Sequence, residues 1–86
     1  MTTPATRAPG DECALDQLAA GERGVVAHLS CEPSIARRLM ELGLIPGAEV
    51  EVIRRAPFGD PLEITVRGVH LWLRRSEASR IDVTFA

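Results

Sequence analysis

The stretch Pro33-Ser-Ile-Ala-Arg-Arg-Leu-Met-Glu-Leu-Gly-Leu-Ile-Pro-Gly47 carries the clearest helical pattern of the 86-residue chain. Proline suits the first position of a helix, where its missing N–H group has no intrahelical partner to lose. Ile35, Leu39 and Leu42 recur at steps of four and three residues, which predicts one apolar stripe that faces a core. Gly43 can take the left-handed conformation that ends a helix, and the Pro-Gly pair after it predicts a turn.

On both sides of this helix the apolar residues alternate with polar ones, which is the period of a β-strand. Residues 23–30 predict one strand before the helix, and four alternating runs predict strands after it, near residues 49–52, 62–67, 69–74 and 81–85. Arg67-Gly68 predicts a tight hairpin turn. The segments between the strands predict a loop at residues 56–61 and a short helical turn at residues 76–80. Before the first strand, the spacing of Leu15 and Leu18 predicts a helical turn, which Gly21 ends.

These elements predict a mainly β fold with one inserted helix, a small five-stranded β-barrel. A strongly bent barrel hides both edges of its sheet and its single apolar face, with the helix over an open end. A flat sheet crossed by one helix is the alternative. The chain has the length of one domain, which we place at residues 14–86 after a disordered N-terminal tail at residues 1–13. An arm that orders on binding a partner is the alternative for the tail.

The composition excludes several classes of function. All ten basic residues are arginine, and with twelve Asp and Glu they leave a net charge of −2. A chain with this charge lacks the basic surface of a nucleic-acid binder, so we expect no nucleic-acid partner. The absence of lysine removes Schiff-base chemistry and the lysine of phosphate-binding loops, and no glycine-rich nucleotide loop precedes the helix.

The chain also lacks the segments that direct a protein into or across a membrane. No apolar run approaches the roughly 20 residues of a membrane span. The N-terminal residues contain no apolar signal core. We therefore expect a cytoplasmic protein without direct membrane insertion.

Few residues could carry out chemistry. Cys13 lies in the predicted tail, and His28 and Cys31 point to opposite faces if one strand contains both. No pair of nucleophile and base results, so the protein is predicted not to be an enzyme and to require no cofactor. His28, Cys31 and His70 are candidate ligands for a labile divalent transition metal, zinc or iron, including one that bridges two copies in a homodimer.

After these exclusions, recognition of a protein partner is the class of function that remains compatible with the composition. The loop at residues 56–61 places Phe58 between helix-breaking residues, and Trp72 alternates with Leu71 and Leu73, which predicts an exposed face; a place in the core is the alternative for Trp72. Tryptophan and arginine dominate the hot spots of protein interfaces. The candidate protein-binding residues are Arg37, Arg38, Met40, Leu44, Phe58, Trp72 and Arg74.

Two neighbouring strings carry a family resemblance: Ala36-Arg-Arg-Leu-Met-Glu-Leu-Gly-Leu-Ile-Pro-Gly47 and Val50-Glu-Val-Ile-Arg-Arg-Ala-Pro-Phe-Gly-Asp-Pro-Leu62. In this order they resemble the FeoA family, the small cytoplasmic proteins of bacterial ferrous iron uptake. Residues 15–26 and 71–81 fit the same family pattern in order, so the resemblance covers residues 15–85. It implies an SH3-like β-barrel with an inserted helix and a non-enzymatic accessory role. It also implies a partner, FeoB, the membrane iron transporter with a cytoplasmic GTPase domain.

Two functions are compatible with this resemblance. In the first, the chain docks on FeoB, with the cytoplasmic GTPase domain as the expected contact, and modulates GTP hydrolysis or transport. In the second, it is a regulatory module that responds to zinc or iron, similar to the C-terminal SH3-like domain of iron-dependent repressors. No helix-turn-helix segment precedes the domain in this sequence, which favours the first function.

Overall fold

The computed structural model describes residues 8–86, which form one antiparallel sheet and two helices. Its strands are ordered β1-β6-β2-β3-β4-β5. The elements are β1 (Glu12–Ala14), a 3₁₀ turn (Leu15–Gln17), β2 (Arg23–Leu29), α1 (Pro33–Glu41), β3 (Glu49–Arg55), a second 3₁₀ turn (Pro57–Gly59), β4 (Leu62–Val66), β5 (Val69–Leu73), α2 (Arg75–Ala78) and β6 (Ile81–Phe85). The mainly β fold with one inserted helix is therefore confirmed, and the helical turn expected at residues 76–80 corresponds to α2.

The sheet differs from the prediction in two respects. It has six strands rather than five. Among residues 8–86 the outermost strands, β1 and β5, do not pair with each other, so hydrogen bonds do not close the sheet into a barrel. The inner face of the sheet and α1 nevertheless share one buried cluster, to which β2, β3, β4, β5 and β6 all contribute. A six-stranded sheet can gather one face around so small a core only if it curves strongly.

The additional strand, β1, lies where the sequence predicted the end of a disordered tail. Glu12 lies opposite Thr84 and Cys13 lies opposite Val83, so the predicted tail is wrong at these two residues. Three residues are too few to show an alternating pattern, and the strand forms because β6 supplies its hydrogen bonds. Residues 8–11 of the predicted tail are also held at β6, since the Gly10 N–H donates to the Phe85 carbonyl over 2.9 Å and the Phe85 N–H donates to the Asp11 carbonyl over 2.7 Å. Residues 1–7, the remainder of the predicted tail, lie outside the described residues.

Helix α1 begins at Pro33 and ends in a Schellman motif at Gly43. The Gly43 N–H donates to the Met40 carbonyl over 3.0 Å, and the Leu44 N–H donates to the Leu39 carbonyl over 3.1 Å. Gly43 has a φ of +112°, as a glycine after a helix end allows. This motif packs Leu44 beside Leu39, and both are fully buried, whereas Leu42 is 37% exposed. The predicted stripe therefore fails at Leu42, because the helical period stops at the helix end and Leu44 takes its place.

Two β-bulges change which residues face outward. The register of β2 against β6 shifts between Val26 and His28, and that of β3 against β4 shifts between Val52 and Arg54. Because one extra residue reverses the alternation, His28 and Arg54 face away from the core although Val26 and Val52 face into it. The bulges thereby place two polar side chains on the outer face of the sheet.

The turn between β4 and β5 confirms the predicted tight hairpin. Arg67 and Gly68 have φ values of +53° and +81°, which is the pattern of a type I′ turn. The turn places Val66 opposite Val69 and fixes the register along β5, where Glu63 lies opposite Trp72.

Candidate functional site

Trp72 lies on the outer face of β5 and is 55% exposed, which excludes the alternative of a place in the core. Its neighbours on this surface are the end of the loop before β4 and the residue that precedes α2. Together these residues line a shallow depression of about 400 Å³, formed by Asp60, Pro61, Trp72 and Arg74. Within the described part of the chain the Arg74 guanidinium forms no ion pair, so its charge is available to a partner.

Phe58 is fully exposed at the tip of the turn that precedes this depression. The turn is held by two backbone hydrogen bonds, from the Ala56 N–H to the Pro61 carbonyl and from the Gly59 N–H to the Ala56 carbonyl. Phe58 has a φ of +72°, a conformation that costs a residue with a side chain about 1–2 kcal/mol. Because the ring packs against nothing that would offset this cost, Phe58 does not serve the stability of the fold.

We expect Phe58→Asn to raise the free energy of unfolding by about 0.5–1 kcal/mol, because asparagine tolerates a positive φ better than phenylalanine does. Leu42→Asn is the matched control, since it also replaces an exposed apolar residue but at a φ of −79°. Urea denaturation of the three proteins measures the difference. A Phe58→Asn protein that is less stable than the wild type would mean that the ring contributes to packing.

Glu63 is buried at the centre of the outer face of β3, β4 and β5, with 8% of its surface exposed. One carboxylate oxygen, Oε1, accepts a hydrogen bond from Arg54 Nε over 2.6 Å, and Oε2 lies 3.2 Å from His70 Nδ1. The hydrogen bonds of His70 and then Arg54 hold the pKa of Glu63 below its ordinary value, although burial opposes the shift. The alternation of β4 predicts only a solvated glutamate here, because the register that brings Arg54 opposite depends on the bulge in β3.

The lowered pKa of Glu63 makes stability depend on pH in a defined direction. A carboxylate with a lower pKa in the folded than in the unfolded chain stabilises the fold above the ordinary pKa of 4.5, and this stabilisation is lost as the pH falls through the folded value. We expect the wild type to lose more stability than Glu63→Gln between about pH 6 and about pH 3. Urea midpoints of both proteins across this range test this, and parallel curves would contradict it.

The predicted binding residues of α1 lie on a different element from Trp72. Arg37, Arg38 and Met40 are exposed on the helix, and Arg38 forms an ion pair with Glu77 of α2. The other carboxylate oxygen of Glu77 accepts a hydrogen bond from the Arg74 backbone N–H over 3.2 Å. Glu77 thus connects the helix to the residue beside Trp72.

Leu44 is the one predicted binding residue that the structure removes from the surface. It is fully buried against Leu39 in the Schellman motif, so its assignment to a binding surface is wrong. Leu44 lies three residues after Glu41, the last residue of α1, where the helical period no longer indicates which side chains are buried.

The structure does not bring the three candidate metal ligands together. His28, on β2, has its Nε2 atom 2.7 Å from Asp82 Oδ2. His70, on β5, lies beside Glu63, and two strands, β3 and β4, separate β5 from β2 in the sheet. Cys31 follows β2 and lines a groove of about 510 Å³ between α1 and α2. Among residues 8–86 no three His, Cys, Asp or Glu side chains are placed to hold one metal ion.

The helices of residues 8–86 are too short and too polar for any of them to cross a bilayer.

Comparison with known proteins places the chain in a family. A family model described as FeoA domain matches residues 13–84. The curated Fe(2+) transport protein A/Fe(2+) transporter FeoB fusion protein of Porphyromonas gingivalis is 28% identical over 69 residues, which are 80% of this chain and 8% of the relative. This chain thus spans less than a tenth of the length of that relative.

Solved structures agree with the family match. The FeoA protein of Chlorobium tepidum superposes with a TM-score of 0.80 at 46% identity, over 84% of this chain and 69% of that one. Stenotrophomonas maltophilia FeoA, solved with zinc and described as a prokaryotic SH3 domain protein, gives 0.72 at 36% identity, over 81% and 87%. A manganese-dependent transcriptional repressor gives 0.80 at 20% identity, over 95% and 45%, which shows a shared fold alone. The match over residues 13–84, together with these structures, shows that the chain belongs to the FeoA family.

Proposed function

We propose that this chain is a non-enzymatic accessory protein of ferrous iron transport that docks on the FeoB transporter in the cytoplasm. The observation that carries the proposal is the Porphyromonas gingivalis relative, in which transport protein A and FeoB form one chain. Fusion keeps two domains at a high effective concentration, which benefits domains that act on each other. The family membership of this chain supports the same role.

The expected contact on the transporter is its cytoplasmic GTPase domain. On this chain, the surface that we assign to docking consists of Phe58, Trp72 and Arg74, with Arg37, Arg38 and Met40 of α1 at its margin. Trp72 and Phe58 supply exposed apolar area that contributes little to the core. Arg74 supplies a guanidinium group that forms no ion pair with any of residues 8–86. Docking at this surface would allow the chain to modulate GTP hydrolysis or transport.

Calorimetric titration of this chain into intact FeoB of the same organism, and into its isolated GTPase domain, tests the proposal. Parallel titrations contain and omit a guanine nucleotide, and each is repeated with a metal chelator. We expect binding to intact FeoB that persists in the chelator. The absence of binding under all of these conditions would overturn the proposal.

A second function, a zinc- or iron-responsive module, is supported by one observation, the zinc complex of Stenotrophomonas maltophilia FeoA. His28 with Asp82, and His70 with Glu63, each offer two ligands, whereas a structural zinc site uses four. A metal on this chain would therefore be shared between two copies, with Cys31 as a further candidate. Zinc-dependent dimerisation that the variant with both His28→Ala and His70→Ala lacks would favour this function, and an unchanged mass in zinc would exclude it.

A further inference from the structure

The two ends of the sheet differ in length and in charge. At one end, β1 is three residues long and carries Glu12. At the other end, β5 is five residues long, Val-His-Leu-Trp-Leu, and is the one strand of the described sheet without an Arg, Asp or Glu side chain. Edge strands are usually protected from pairing with another chain by short length, charge or proline, and β5 has none of these.

The register of the hairpin shows which backbone groups of β5 face this edge. In a two-residue hairpin the residues that flank the turn, Val66 and Val69, form a hydrogen-bonded pair, and such pairs alternate along the strands. Val69, Leu71 and Leu73 therefore direct their N–H and C=O groups toward β4. His70 and Trp72 direct theirs away from β4, to a side where residues 8–86 provide no further strand.

We propose that β5 pairs antiparallel with β5 of a second copy of this chain. In the register that the outward groups require, His70 lies opposite Trp72 of the other copy and Leu71 lies on the twofold axis. Each of the two His–Trp pairs exchanges two backbone hydrogen bonds, so four such bonds join the sheets. The interface is isologous and closes as a dimer, because the twofold axis relates the two edges to each other.

The side chains of β5 favour a second copy of the same strand. In this register Trp72 meets His70 across the interface on the outer face, and Val69 meets Leu73 on the inner face. Val69 is 49% exposed and Trp72 is 55% exposed, so pairing covers two of the large apolar side chains that the monomer leaves in solvent. Within β5 no charged side chain opposes another, and the nearest arginines, Arg67 and Arg74, lie outside the strand. This pairing needs no metal and no other protein.

Sedimentation equilibrium in a metal chelator, from about 10 μM to about 1 mM protein, tests the proposal. We expect a dimer at the upper concentrations and, because Trp72 is the only tryptophan, a blue shift of its emission as the dimer forms. His70→Pro removes an outward N–H, and Trp72→Lys places a charge on the edge, each without removing a backbone hydrogen bond to β4. His70→Pro also removes the contact of the imidazole with Glu63, which Trp72→Lys keeps. Each should raise the dissociation constant of the dimer by about tenfold or more. Leu42→Lys, which changes an exposed leucine far from β5 in sequence, is the matched control and should dimerise as the wild type does.

A measurement on the wild type guards against variants that unfold. The amide hydrogens of His70 and Trp72 should exchange more slowly as the protein concentration rises, while the amide of Arg67 in the hairpin turn should not change. A protein that stays monomeric at the highest concentration, with concentration-independent exchange, overturns the proposal and leaves the edge to a strand of another protein. A dimer that both β5 variants form as tightly as the wild type also overturns it.

Discussion

Replacing Trp72 by alanine should leave the protein folded and weaken its binding to FeoB by about 30-fold or more, the loss that truncation of a tryptophan hot spot produces. The side chain is 55% exposed on the outer face of β5, so its removal opens no cavity in the core. Its exposed area lies beside Arg74, and the two line the depression next to the Phe58 turn. Calorimetry with FeoB measures the binding, and thermal unfolding followed by circular dichroism measures the fold.

Leu42→Ala is the control for this result, because Leu42 is also an exposed apolar residue and lies outside the proposed docking surface. It should bind FeoB with the affinity of the wild type. A Trp72→Ala protein that binds equally well would remove Trp72 from the docking surface, and one that unfolds would show that the side chain supports the sheet. Phe58→Asn separates docking from pairing of β5, since Phe58 lies in a loop and not on the edge strand: it should weaken binding to FeoB without affecting the dimer.

Short-range patterns account for the parts of the fold that the sequence predicts. Pro33 and Gly43 mark the ends of α1 by their backbone properties, which do not depend on the rest of the chain. Arg67-Gly68 has the length of a hairpin turn between two alternating runs, and this sets the register of β4 and β5. Exposure of Trp72 follows from the same alternation, because β5 contains no bulge.

Features that depend on pairing between distant strands could not be predicted in the same way. The bulges after Val26 and Val52 reverse the alternation within β2 and β3. Sequence alternation alone therefore places Arg54 inside and Glu63 in solvent, whereas the structure pairs them on the outer face with Glu63 buried. Strand β1 could not be predicted for a related reason, since its three residues form a strand only because they pair with β6.

The open sheet has a physical consequence that the predicted closed barrel lacks. Closure removes edges, so a barrel would leave no strand with outward N–H and C=O groups. In the sheet of residues 8–86 the two outermost strands are β1 and β5, and β5 has the length and apolar composition that pairing requires. The sixth strand, and the lack of a pairing between β1 and β5 among residues 8–86, are therefore the observations on which the proposed dimer depends.

Gly43→Val should lower the free energy of unfolding by about 2 kcal/mol or more, which corresponds to a fall in melting temperature of about 10 °C for a domain of this size. A φ of +112° is open to glycine and strongly unfavourable for a β-branched residue. An added Cβ atom would lie 3.4 Å from Arg67 Cδ and 3.6 Å from Val66 Cγ1, which are ordinary van der Waals contacts, so the backbone conformation rather than a Cβ clash accounts for the loss. If the motif opened instead, Leu44 would leave its buried place beside Leu39, and the core would lose that packing.

Gly21→Val isolates the backbone strain from the contacts, because Gly21 has a φ of +91° and its added Cβ would meet no atom within 4 Å. It should destabilise the protein less than Gly43→Val does, and the difference measures the packing around the Schellman motif. Thermal unfolding of both variants gives the two losses. An unchanged melting temperature for Gly43→Val would mean that the chain leaves α1 by another route, and the burial of Leu44 would then need a different cause. Because the predicted loss arises in the turn between α1 and β3, it should appear equally in the presence and absence of FeoB or metal.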